Sequence, residues 1–192
     1  MIAPITIKED FTHHILQLQK EICNALEEAD GKAKFSEDKW ERPGGGGGQT
    51  RIIQNGNIFE KGGVNTSTVE GEVTDAMKKQ LNINGDHFFA CGISLVLHPH
   101  NPFVPTVHAN FRYFELYNNA KNVIDSWFGG GTDLTPYYLN EEDATHFHQT
   151  LKNKCDEFDS EFYPKYKQTC DEYFVNKHRS NEARGIDGIF FD

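Results

Sequence analysis

Apolar positions recur along residues 7 to 29 at Phe11, Ile15, Leu18, Ile22 and Leu26. That spacing predicts an amphipathic helix. Thr6 and Glu9 are placed to form a capping box at its start. A turn-rich stretch, "ERPGGGGGQTRII", then leads into expected strands at 50 to 54 and 57 to 61. The strongest β pattern lies in "HFFACGISLVLH" and "TVHANFRYFELY", residues 87 to 98 and 106 to 117. The connecting "PHNPFVP" carries prolines that forbid a helix.

A second helix is expected from Asn140, whose followers Glu141, Glu142 and Asp143 suit the positive end of a helix dipole. Phe147, Leu151, Cys155 and Phe158 would line one face of it. A third helix is expected from near Pro164 through Tyr166, Cys170 and Phe174 to about His178. The closing "GIDGIFFD" reads as a strand. No repeat and no linker interrupts the pattern. The fold class is therefore α+β: one domain, with helices flanking a mostly antiparallel sheet.

Two glycine-rich stretches complicate this picture. Gly44 to Gly48 lack the GK[ST] sequel of a phosphate loop, so a flexible loop over a site is expected. "WFGGGTDLTPYY", residues 127 to 138, reads as a glycine turn from which Asp133 projects among aromatic rings.

Composition narrows the function classes. The 192 residues carry a formal charge of −10, which argues against a nucleic-acid partner. No apolar run approaches the ~18 residues of a membrane helix. The opening "MIAPITIKED" lacks signal-peptide character. Cys23, Cys91, Cys155 and Cys170 show no CxxC spacing and read as reduced thiols. These features point to a cytoplasmic protein.

Strand alternation places His108, Asn110 and Arg112 on one face of the second strong strand, and Val107, Ala109, Phe111 and Tyr113 on the other. Ser94 and His98 share a face of the first, with Gly92 and Val96. A face bearing Ser, His, Asn and Arg is either solvated or a polar cleft floor in which Arg112 receives a carboxylate or phosphate. His98, His108, His148 and His178 are candidates for a metal site, although no HxxxH or HxH places two of them on one helix face: His146 and His148 of "HFH" are two apart. Ser94 lacks a nucleophile elbow. The residues alone thus lead to a cleft with an acid, an arginine and histidines, and name no reaction.

Six stretches together resemble the oxygen-dependent coproporphyrinogen III oxidases: "WERPGGGGGQTRII", "FEKGGVNTSTVEG", "FFACGISLVLHPHNPFVPTVHANFRYFE", "WFGGGTDLTPYYLNEEDATHFH", "CDEYFVNKHR" and "RGIDGIFFD". The likeness runs from about residue 11 to the last residue. It implies conversion of two propionates of coproporphyrinogen III to vinyl groups in haem synthesis. Molecular oxygen would be the co-substrate, with no organic cofactor, in a homodimer. It assigns proton donation to His108 and acceptance of pyrrole N–H groups to Asp133. Propionate and substrate contacts fall to Ser94, Asn110, Phe111 and Arg112. A divalent metal such as manganese would be held by His98, His108, His148 and His178. Two departures stand out: Asp187 where the family usually has glycine, and Ser126 in place of one of two adjacent tryptophans. The family usually continues for roughly another hundred residues, so a C-terminally truncated chain is expected. Two rival readings follow: a truncated tetrapyrrole-binding domain without turnover, and a His-metal oxygenase with another substrate.

Overall fold

The computed structural model describes residues 6 to 192 apart from 177, 181 and 184. Helix α1 (Ile7–Asp30) is followed by strands β1 (Ser36–Glu41), β2 (Gly46–Gln54) and β3 (Phe59–Glu72) and by helix α2 (Asp75–Leu81). Strands β4 (His87–Pro99), β5 (Thr106–Tyr117) and β6 (Val123–Thr135) form the centre. Helices α3 (Glu141–Asp156) and α4 (Phe162–Tyr173), the two-residue strands β7 (Val175–Asn176) and β8 (Glu182–Ala183), and strand β9 (Asp187–Phe191) complete the chain. One seven-stranded sheet has the order β1-β2-β3-β4-β5-β6-β9. All its neighbours run antiparallel. This is the expected α+β architecture.

The capping box forms as read, with Thr6 and Glu9 satisfying each other's backbone N–H groups. Helix α1 ends at Gly31, whose φ of 71° suits a residue without Cβ. Its apolar stripe covers one face of the sheet. Ile15 and Cys23 are buried there with Val64, Phe89, Cys91, Ile93 and Tyr113, and Phe11, Leu18, Ile22 and Leu26 pack around them. Gln19 is fully buried in this layer. Its amide donates to the carbonyls of Gln49 and Val64, at 2.9 and 2.8 Å, and bolts the helix to β2 and β3. Both amide N–H groups are thereby used, whereas Gln19 Oε1 is buried without a hydrogen-bond partner among the described residues.

Several expectations change. Gly46 to Gly48 are not a mobile loop: they belong to β2 and pair with β1 and β3. Strand β1 itself escaped the pattern because every residue of SEDKWE is exposed. Charges along an edge strand discourage pairing with other chains. The expected strands at 50 to 54 and 57 to 61 are parts of longer ones. Gly129 to Gly131 do not turn either; they lie inside β6, and none has a left-handed φ. Phe158 lies beyond α3 and is 82% exposed, so it does not extend the Phe147, Leu151, Cys155 face. Helix α4 stops at Tyr173 rather than His178. It lies along β9 and meets it on both faces, Tyr166 against Phe191 and Tyr173 against Phe190.

Asp30 closes the other end of α1. Its carboxylate accepts from the backbone N–H groups of Ala33, Ile58, Phe59 and Asn57, tying the helix end to the β2–β3 turn. The Ala33 bond first, then those from the turn, hold this carboxyl far below the usual carboxylate range. A depressed folded pKa contributes stability above the unfolded value of about 4 that is lost as pH falls. Asp30→Asn should therefore lower Tm by several degrees at pH 7. It should also flatten the fall of Tm between pH 5 and 2, as read by melts across that range.

Candidate functional site

The sheet face away from α1 carries the polar side chains. Register explains how they meet. Ser94 of β4 stands opposite Asn110 of β5, Gly92 opposite Arg112, and Val96 opposite His108. One strand further, His108 stands opposite Asp133 of β6, and Arg112 opposite Gly129. Directly opposed residues project to the same side. Ser94, His98, His108, Asn110, Arg112 and Asp133 therefore share one face. Phe111 points to the other and packs beneath α1. Only its backbone could reach an occupant of the cleft.

The centre of the site is a pair. His108 Nδ1 lies 3.0 Å from Asp133 Oδ1. Asp133 is buried at 4% exposure, whereas the His108 side chain is about a third open. Thr135 Oγ1 donates to the same carboxylate oxygen at 3.3 Å, and Thr132 Oγ1 donates to the His108 carbonyl at 2.8 Å. Asp133 thus does not project from a turn. It is a buried strand residue that holds an imidazole. His108 and His98 help line a hollow of about 270 Å³ with Thr106, Thr135 and Tyr137. Their ring centroids lie 6.4 Å apart.

Arg112 donates Nη1 to Asn110 Oδ1 at 3.1 Å, and its Nη2 lies 2.7 Å from Asp192 Oδ2. A carboxylate is therefore already seated on the guanidinium. The glycine at 129 makes this approach feasible: a Cβ there would lie 2.4 Å from Asp192 Oδ1 and 2.9 Å from Arg112 Nε. Arg112, Asn110 and Ser94 also line a second hollow, of about 330 Å³, toward β1 to β3.

The four-histidine metal set is not assembled. His148 sits between α3 and α4 and uses both ring nitrogens. Nε2 donates to the Ile186 carbonyl, so Nδ1 accepts from the Tyr163 hydroxyl, each at 3.0 Å. Burial holds its pKa below the ordinary histidine value, which favours this neutral form. His178 lies in an exposed turn, its N–H bonded to Asn176. Among the described residues, no group of three or more His, Cys, Asp or Glu is placed to hold a metal ion. The side chains present do not fit the metal that the resemblance implied.

Sequence reading missed Thr132 and Thr135, although both flank Asp133. It also flagged Asp187 without a reason. Asp187 has φ of 55°, a left-handed conformation that suits glycine and that aspartate tolerates. It is buried, and burial first, then the Asp171 and Asp133 carboxylates, push its carboxyl up. Ser126 stands exposed in β6, opposite Glu115. The four cysteines are free thiols, with Cys23, Cys91 and Cys170 buried.

Residues 10 to 192 match the family model for coproporphyrinogen III oxidase, and the chain belongs to that family. It is 53% identical over 198 aligned positions to the oxygen-dependent coproporphyrinogen-III oxidase of Drosophila melanogaster, covering 96% of this chain and 50% of the relative. Identity is 50% to the chloroplastic enzyme of Glycine max, over 97% of this chain and 51% of the relative. It is 48% to the mitochondrial enzyme of Rattus norvegicus, over 98% of this chain and 44% of the relative. The chain spans about half the length of the curated relatives it matches.

Three outcomes follow from this geometry. Asp133→Leu leaves the Thr135 hydroxyl and the His108 ring facing a methyl group. Stability should fall by about 1–3 kcal/mol, the usual cost of buried polar groups left unpaired, read by urea denaturation. Asp192→Ala should free the Arg112 fork and tighten binding of a small dicarboxylate such as succinate. Arg112→Lys should weaken that binding, because lysine lacks the planar fork; calorimetry reads both.

Proposed function

We propose that this chain carries the proton-transfer and carboxylate-binding side of an oxygen-dependent coproporphyrinogen III oxidase. The observation that supports the reading best is the buried Asp133 carboxylate against the partly open His108 imidazole. A carboxylate on Nδ1 fixes the tautomer and leaves Nε2 for proton exchange, the logic of a carboxylate-oriented histidine. Asp133 is then a positioning residue, and His108 is the group that touches the reacting side chain.

The substrate carries four propionates, and Arg112 meets one of them where Asp192 now sits. Asn110 fixes the plane of the guanidinium, and Ser94, opposite Asn110, offers a hydroxyl to the same occupant. In each half-reaction a propionate loses its carboxylate as carbon dioxide, together with one proton from the carbon next to the pyrrole and two electrons. Molecular oxygen accepts the electrons. His108 handles protons at the reacting side chain and at the electron-rich pyrrole. No step is assigned to a metal. A homodimer and a cytoplasmic location belong to the same proposal, the latter supported by four unpaired cysteines. Light scattering and cell fractionation check these two points.

One observation favours a second reading, tetrapyrrole binding without turnover: Asp192 already occupies the guanidinium of Arg112. Oxygen uptake with coproporphyrinogen III, compared with anaerobic binding, separates the two. For the catalytic reading, His108→Ala should slow single-turnover decarboxylation by about 10²–10⁴-fold. Binding should change only a few-fold. Asp133→Asn should slow the same step and distort its pH profile, because the amide no longer fixes the imidazole tautomer. A normal rate in both variants would remove the pair from the chemistry.

A further inference from the structure

The cleft floor does not stop at β4. A polar row crosses the sheet at right angles to the strands: Thr50 of β2, Asn65 of β3, Ser94 of β4 and Asn110 of β5 stand opposite one another in turn. The proposed function uses only the last two. Asn65 Oδ1 is buried and has no hydrogen-bond partner among the described residues. It lines the same hollow of about 330 Å³ as Ser94, Asn110 and Arg112. Buried acceptors in folded proteins are nearly all satisfied, so an unsatisfied one at a cleft wall marks a place for a donor.

Trp40 forms the wall beside it. It stands opposite Gly48 in the β1–β2 ladder. A Cβ on Gly48 would lie 2.4 Å from the indole Cζ2, so the ring lies across the bare glycine. The indole remains 38% exposed, in an edge strand otherwise built of charged residues and serine. An aromatic face next to a single acceptor suits a flat ring that carries an N–H. Among the described residues, Arg112 is the one charged side chain that lines this hollow.

We propose that Asn65 and Trp40 form a pyrrole subsite: Asn65 Oδ1 accepts the N–H of one pyrrole ring, and the Trp40 indole covers its face. This rests on the tetrapyrrole reading of the cleft. Strands β3 and β5 lie about 10 Å apart, two strand spacings. A single macrocycle spans that separation, with one ring at Asn65 and the propionate of another ring beside Arg112 and His108. Asn65 and Trp40 would then set which ring lies at His108, and so which propionate reacts.

The chain has two tryptophans, so a Trp127→Phe background leaves Trp40 as the only indole reporter. Anaerobic titration with coproporphyrinogen III should quench its emission saturably. Asn65→Ala should weaken that binding by about 2- to 10-fold, the range for one neutral hydrogen bond. Asn65→Gln keeps a neutral amide acceptor and should bind more tightly than Asn65→Ala. Thermal melts check that each variant is folded. Asn65→Leu, close in size and without an acceptor, replaces Asn65→Ala if the alanine variant melts early. Parental affinity in the folded variant without an acceptor overturns the subsite. If Arg112→Lys weakens binding in that same series, the tetrapyrrole reading survives the loss. If the folded parent binds no coproporphyrinogen III at all, the tetrapyrrole reading falls and takes the subsite with it.

Discussion

The pairing register of β5 with β6 is the constraint on which the site depends. It sets His108 opposite Asp133 and Arg112 opposite Gly129. A slip of β6 by one residue would leave His108 in place and send Asp133 to the α1 face. There a carboxylate would be buried among Ile15, Ile93 and Tyr113 without its imidazole. The apolar layer under α1 thus protects the chemistry on the opposite side. Phe111 and Tyr113 can be buried only in the register that turns His108, Asn110 and Arg112 the other way.

Glycine serves this arrangement through space rather than through unusual dihedrals. At Gly129 the missing Cβ leaves room for the Arg112 to Asp192 ion pair, and at Gly48 it leaves room for the Trp40 indole. Interior strand glycines weaken a sheet and bring other groups close to its backbone. Here both occur on the cleft face. Position 187 is the opposite case. An aspartate holds a left-handed conformation in a buried place, and burial pushes its carboxyl toward the protonated form.

The two halves of the cleft differ in chemistry. Toward β6 and β9 lie a carboxylate-oriented histidine and an arginine that already holds a carboxylate. Toward β1 to β3 lie small residues, one unsatisfied amide oxygen and an aromatic wall. An occupant matched to both must be anionic at one end and a flat N–H donor at the other. The macrocycle with propionate arms proposed for this cleft meets both demands.

Periodicity alone determined much of this protein: the α1 stripe, its capping box, the β4 and β5 strands, the Asn140 cap of α3, and the common face of His108, Asn110 and Arg112. Those are local properties, set by spacing of 3.6 or 2 residues and by side chains that reach their own backbone. The family, too, was legible in long motifs taken in order. Tertiary structure decided the rest. The glycine-rich stretches became strands because neighbouring strands supply hydrogen bonds that no local pattern announces. Asp133 became a buried partner of His108 because strand register joins residues 25 apart in the chain. His148 was claimed by Tyr163 and Ile186, contacts between α3, α4 and the approach to β9 that sequence spacing does not encode. Which polar groups meet across a sheet is set by pairing between strands, and that pairing is chosen by the whole core at once.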